Sequence, residues 1–189
     1  MAATISTMQD LGKPAVDFDL PDVTSDSLVR LSDFVNKPLL IMFICNHCPY
    51  VIHLISALSV LANEYQQKGY AVIAISSNDV MNYPQDDPKE MVKFAEKYRF
   101  EFPYCYDESQ DVAIGFDAVC TPDLYIYDRE HKLRYRGQMD DSRPANALPV
   151  SGNDLRAALE AVLNSASVSE FQTPSVGCNI KWKADRLLL

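Results

Sequence analysis

No apolar run in the sequence approaches the length of a membrane span. The longest, residues 39–45, falls far short of the roughly 18 residues a spanning helix needs. Basic charge is also in short supply. The chain has 17 Lys and Arg against 26 Asp and Glu, a net charge of −9. Such a surface repels phosphate backbones and anionic lipid, which argues against nucleic acid and membrane as partners. The first residues, MAATISTMQDLGK, carry no basic cluster followed by an apolar stretch. No secretory signal is expected there, and the cytoplasm is the expected location. Internal repeats and low-complexity tracts are absent. Five cysteines are too few for a disulfide-stapled secreted module. In a reducing compartment a close cysteine pair points instead to redox chemistry or to a metal.

What is present is ordinary globular material. A chain of 189 residues with 48% apolar and 23% charged residues suits one domain with appendages. At this size roughly 70% of the unfolded surface is buried, enough for a core without staples. We divide the chain into a loose arm (1–13), one domain (14–164) and an extension (165–189). The extension packs on the domain or on a partner, a second copy of the chain included.

Within the domain, residues 14–31 predict a hairpin around Pro21 and the polar cluster 24–27. Residues 39–44 are apolar without interruption, as in a central strand buried on both faces. After Cys45-Asn46-His47-Cys48-Pro49, Val51, Leu54, Ile55, Leu58, Leu61, Ala62 and Tyr65 recur at spacings of three and four. That predicts a helix, ended by Gly69. Residues 71–75 are a second buried strand, and 76–87 a long polar loop. Asp87 and Pro88 then cap and open another helix. A short strand (102–106), a short helix (109–116), a hairpin (124–127 with 132–136) and a helix capped by Asn153 follow. Alternation first and antiparallel strands last predict an α/β fold, a mixed central sheet flanked by helices.

The chemistry lies in the C-x-x-C motif between a buried strand and a helix. The first sulfur is expected at the helix N-terminus, where free N–H groups and the helix dipole stabilise an anion. The thiolate is the attacking species, and such a place lowers its pKa to about 3.5–7.5. Two intervening residues let Cys48 reach Cys45 and resolve a mixed disulfide. His47, inside the motif, adds positive potential near Cys45 and so favours the reduced form. Half of a zinc site is the competing reading, and it needs a second Cys or His pair at ligand spacing. Cys105, Cys120 and Cys178 are single, and His53 and His131 are unpaired. We therefore expect no metal and no organic cofactor. The other alternative is two cysteines packed as small hydrophobes.

Thr121-Pro122 stands directly before a predicted strand. A cis proline there places the preceding backbone beside the cysteine pair, where an extended peptide or a partner thiol can dock. The strand–C-x-x-C-P–helix unit, Thr121-Pro122 before a hairpin and the last helix together resemble the thioredoxin fold. Gly12-Lys13-Pro14-Ala15-Val16-Asp17-Phe18-Asp19-Leu20, with Leu31-Ser32-Asp33-Phe34, narrows the resemblance to the AhpC/TSA–redoxin branch related to peroxiredoxins. Residues 46–51, 140–144 and 177–183 resemble an uncharacterised subgroup of it.

The resemblance implies a thiol–disulfide oxidoreductase with Cys45 as nucleophile, Cys48 as resolving thiol, and Thr121 before a cis Pro122. Protein or small-molecule disulfides and thiols are the implied substrates, with a thioredoxin- or glutathione-type electron donor. The chain departs from the thioredoxin pattern in having Leu39 where a buried acid is common, Asn-His inside the motif and no preceding Trp. The alternative is a thiol peroxidase in which Cys48 is oxidised and Cys45 resolves it. It lacks the family's proline, Ile41 standing at that position, and its hydroxyl, where Cys45 stands. Arg136 and Arg143 are candidates to polarise peroxide, though each reads first as a solvated surface arginine. A third alternative is a redox-sensing or binding module without turnover. Of the rest, Cys105 reads as core and Cys120 as buried near the site. Cys178 pairs with another cysteine or lies beneath the sheet. His53 reads as partly buried and His131 as solvated. Asp86-Asp87 and Asp140-Asp141 read as solvated loops. Trp182 and residues 187–189 would cover a core edge or a partner.

Overall fold

The computed structural model describes residues 3–186. Its strands, in chain order, are β1 (Ala3–Ile5), β2 (Asp19–Pro21), β3 (Leu28–Arg30), β4 (Leu39–Phe43), β5 (Ala71–Ser76), β6 (Tyr104–Tyr106), β7 (Cys120–Thr121), β8 (Asp123–Tyr127), β9 (Leu133–Gly137) and β10 (Val176–Asn179). The helices are α1 (Pro49–Gln67), α2 (Pro88–Tyr98), α3 (Asp111–Gly115) and α4 (Asn153–Leu163).

β4 is buried along its whole length, and its neighbours explain why. β5 pairs with it in parallel on one side, and β8 pairs antiparallel on the other. With β6 and β9 the sheet has the order β6-β5-β4-β8-β9, a mixed sheet. Because side chains alternate along a strand, β4 feeds two cores. Leu40 and Met42 pack with α1, α2 and α4 on one face. Leu39, Ile41 and Phe43 pack on the other with α3, Phe116, Tyr125 and the β2–β3 hairpin. Each fully buried Leu, Ile or Phe contributes about 1.5–3 kcal/mol, so this strand anchors both layers.

The N-terminal arm is not loose throughout. Residues 3–5 form β1, which pairs with β10, and β10 in turn pairs with β7. This second sheet, β1-β10-β7, ties both ends of the described chain to the segment before Pro122. The N-cap of α4 is Gly152 at φ 69°, with Asn153 as the first helical residue. The buried Asp140 carboxylate explains the shift. It accepts the N–H groups of Ser151 and Gly152, each at 2.6 Å, and holds the chain in the turn that only glycine adopts freely. Asp140 is thus a buried acceptor rather than part of a solvated loop. No helix among the described residues is long and apolar enough to cross a membrane.

Candidate active site

The motif follows the C-terminal end of the central strand β4, and α1 carries the chain away. Pro49 is the first residue of α1, where its missing N–H costs nothing, and Cys48 is the N-cap. The helix N-terminus therefore serves Cys48, three residues beyond the sulfur expected there. Cys45 lies upstream, in the turn between β4 and the helix.

The Thr121–Pro122 peptide is cis, and Thr121 touches both sulfurs. Cys45 Sγ lies 3.3 Å from the Thr121 hydroxyl, and Cys48 Sγ lies 3.1 Å from the Thr121 carbonyl oxygen. Both cysteines are buried, and each shifts the other's proton affinity. The surroundings decide which sulfur releases its proton first. The Cys45 thiol, the Val51 N–H in the first turn of α1, and the thiol and N–H of Cys178 all donate toward Cys48. These bonds outweigh burial and lower Cys48 to about 5. Cys45 moves the other way, because its bond to Cys48, burial and the nearby Asp86 charge all favour the thiol.

His47 is held by a partner the sequence did not single out. Its Nδ1 lies 2.6 Å from Oδ2 of Asp86, a carboxylate that is completely buried. Asp86 also accepts the Asn46 N–H and the Asn78 side-chain amide, each at 2.8 Å. It is thus no solvated loop residue, while Asp87 beside it caps α2 through the Lys89 N–H. Tyr83 stacks on the His47 ring at 5.6 Å between centroids. The C-terminal segment supports this group. The Lys181 N–H donates to Asn78, and the Asp79 N–H donates to the Lys181 carbonyl. A ring nitrogen of His47, an oxygen of Asp86 and the Cys45 sulfur lie within 4.8 Å of one another. His47 Nε2 is buried with no hydrogen-bond partner among the described residues. The three donors are of metal-ligand type, but His47 and Asp86 are already bonded to each other.

The remaining candidates separate cleanly. Arg136 is fully buried, not solvated, and pairs with buried Asp123 at 2.9 Å. It stacks over Tyr125 and so lies on the face of the sheet away from the cysteine pair. Arg143 is half-buried, anchored by the Asp140 and Ser142 carbonyls and by Gln138. It lines a shallow groove with Tyr50, His53, Pro122 and Pro144. His53 is half-buried, with Nε2 2.7 Å from the Ser142 hydroxyl. His131, expected in solvent, is half-buried against the Phe34 carbonyl. Cys105 sits in the core, and burial raises both it and Cys120. Cys178, whose place the sequence left open, lies against Cys48. Trp182 packs, half-buried, against the core cluster on the Phe43 face of the sheet, and residues 187–189 lie outside the described residues.

Asp86 and Cys178 are the site residues that sequence reasoning left without a role. Asp86 stands in a run of acids with nothing to mark it, and Cys178 reaches the site only through strand pairing.

Three comparisons place this geometry. A structure of an uncharacterised conserved protein from Geobacillus kaustophilus is 52% identical, with a TM-score of 0.94 over 97% of this chain and 98% of that one. The thioredoxin domain of a thiol-disulfide oxidoreductase from Bacteroides vulgatus shares the fold at 20% identity. Its TM-score is 0.58 over 68% of this chain and 89% of that one. Peroxidoxin BcpB from Mycobacterium tuberculosis does so at 22% identity and a TM-score of 0.60, over 84% of this chain and 98% of that one. No curated protein matches the chain. The AhpC/TSA family model matches residues 11–136, which include the C-x-x-C motif and Thr121-Pro122. The chain belongs to the AhpC/TSA family and has a thioredoxin-like fold.

Proposed function

We propose that this protein is a thiol–disulfide oxidoreductase working through a reversible Cys45–Cys48 disulfide. The observation that carries it is the pair itself, two buried sulfurs that both rest on Thr121, before the cis Pro122. The roles follow from the surroundings of each sulfur. Both sulfurs are buried, so charge rather than access tells them apart. Cys48, held low, is the better leaving group, and Cys45 is assigned as the sulfur that exchanges with substrate. An incoming thiolate attacks Cys45 in the disulfide, and Cys48 leaves as the thiolate its surroundings favour. A leaving thiol of low pKa departs faster and stabilises the reduced form, so the disulfide is oxidising in character. In the reverse direction, Cys45 loses its proton before attacking a substrate disulfide, and Cys48 then displaces the product. His47, oriented by Asp86, is the nearby group able to take that proton, and it stands in for the acid missing at Leu39. Thiol and disulfide substrates fit this chemistry, with a thioredoxin- or glutathione-type donor, in a cytoplasm that keeps the pair cycling.

The test is turnover. The protein should catalyse reduction of a protein disulfide by dithiothreitol, and Cys45→Ser and Cys48→Ser should each abolish it. Activity that survives Cys45→Ser refutes the assignment.

One observation favours a second reading. Cys48, at the helix N-cap and lowered to about 5, has the setting of a peroxide-reducing thiolate. Rapid mixing of reduced protein with equimolar hydrogen peroxide separates the two. Fast thiol loss, with sulfenic acid trapped at Cys48 in Cys45→Ser, would establish a peroxidase. Loss at the rate of an ordinary thiol leaves disulfide exchange.

A further inference from the structure

A third sulfur belongs to this cluster. Cys178 stands directly opposite Thr121 in the antiparallel pairing of β10 with β7. Opposed residues in such a pair bring their Cα atoms to about 4.5–5.5 Å. Cys48 Sγ rests on the carbonyl of that same Thr121. Cys48 and Cys178 are buried in one apolar cluster, and the thiol and N–H of Cys178 help to lower Cys48. The neighbouring residue makes this approach possible. A Cβ at Gly177 would fall 1.9 Å from the Thr121 carbonyl oxygen, so only glycine lets β10 lie this close.

We propose that Cys178 is an internal exchange partner of Cys48, and that the protein is a three-thiol relay. This rests on the Cys45–Cys48 disulfide proposed above. The Cys178 thiolate attacks the Cys48 sulfur of that disulfide. The S–S bond to Cys45 breaks, a bond between Cys48 and Cys178 forms, and Cys45 leaves as a thiolate that takes up the proton Cys178 has lost. One disulfide replaces another, so no external oxidant or reductant is consumed. The oxidising equivalent then lies in a bond buried between α1 and β10, and Cys45 is again a free thiol. In the reduced protein, burial and Cys48 push the Cys178 thiol up to about 11. Bonding Cys48 to Cys45 removes the Cys48 charge and eases ionisation of Cys178.

The test is peptide mapping of the full-length protein after brief oxidation with diamide and rapid alkylation. In Cys45→Ser, the thiols of Cys48 and Cys178 should be lost together as a linked peptide. In the unaltered protein, the Cys45–Cys48 bond should form first and the Cys48–Cys178 bond should grow as it declines, with Cys45 becoming alkylatable. If the unaltered protein forms Cys45–Cys48 while Cys45→Ser keeps both remaining thiols alkylatable, Cys178 only packs there. The relay is then overturned and the Cys45–Cys48 reading stands. If the unaltered protein never forms Cys45–Cys48, both fall. Should Cys45→Ser fail to fold, Cys178→Ser decides. Its oxidised form should hold only the Cys45–Cys48 bond, with no alkylatable Cys45, and a Cys45 as reactive as in the unaltered protein overturns the relay.

Discussion

His47 Nδ1 lies 2.6 Å from the completely buried carboxylate of Asp86, and the two residues converge on the Cys45 sulfur. The carboxylate is not spare. It also holds the motif backbone through the Asn46 N–H and is braced by Asn78, which the C-terminal segment fixes through Lys181. The pair thus joins three separate stretches of chain behind one sulfur.

If His47 takes the Cys45 proton and Asp86 aims it, Asp86→Asn should slow thiol–disulfide exchange at Cys45 by about tenfold or more, part of the roughly 10²–10⁴-fold that a general base contributes. The pH profile of Cys45 alkylation should change with it. A slower rate with an unaltered profile would mean that Asp86 only holds the loop. His47→Asn should reproduce the rate loss with a smaller loss of stability, since the carboxylate keeps its bonds to Asn46 and Asn78.

The reduced protein should gain stability as pH rises from about 5 toward 9.0, the folded and ordinary values for Cys48. The sign follows from proton counts. In this window the unfolded chain keeps the Cys48 proton and the folded chain has lost it, so stability is lost as pH falls through the folded value. The slope from one thiol is at most about 1.4 kcal/mol per pH unit. Denaturant unfolding of reduced protein and of Cys48→Ser across this range measures it. Parallel curves for the two proteins would place the thiolate elsewhere.

Thr121→Val removes the hydroxyl beside Cys45 and keeps the carbonyl beside Cys48. The hydroxyl favours the Cys45 thiolate, so its loss should raise Cys45 further. Alkylation of Cys45 near neutral pH should slow by about tenfold, the worth of one hydrogen bond to a charged group. Cys48 should be unaffected, and equal slowing at both cysteines would point to a general shift of the segment.

Arg136→Met should destabilise the fold by about 3–5 kcal/mol, because it leaves Asp123 buried without its counter-charge. Burial already raises the Asp123 carboxyl, and Arg136 is the main group opposing that. Thermal unfolding measures the loss. At temperatures where the variant is folded, its reactivity with peroxide should match the unaltered protein, since Arg136 lies across the sheet from Cys48. A selective loss of peroxide reactivity would contradict that placement.

Much of this protein is legible in its sequence because the signals are local. A short unbroken apolar run reads as a strand buried on both faces, and residues 39–43 of the run become β4. The spacing of Val51, Leu54, Ile55 and Leu58 is a property of the helix itself, and Asp87-Pro88 marks the start of α2. The cysteine pair, His47 and Thr121-Pro122 stand out by type and spacing. What tertiary structure alone decided was where each group sits relative to charge and to its partners. One turn of chain decides whether the helix N-terminus serves Cys45 or Cys48, and spacing carries no such resolution. Asp86 looks like any loop acid until folding buries it against His47. Arg136 looks like a surface cation until Asp123 meets it inside. Cys178 lies 130 residues beyond Cys48 by their numbers (178 − 48), and only the pairing of short β10 with β7 brings them together. Strands of two and four residues carry almost no periodicity of their own, so their partners are set by the packing of the whole chain.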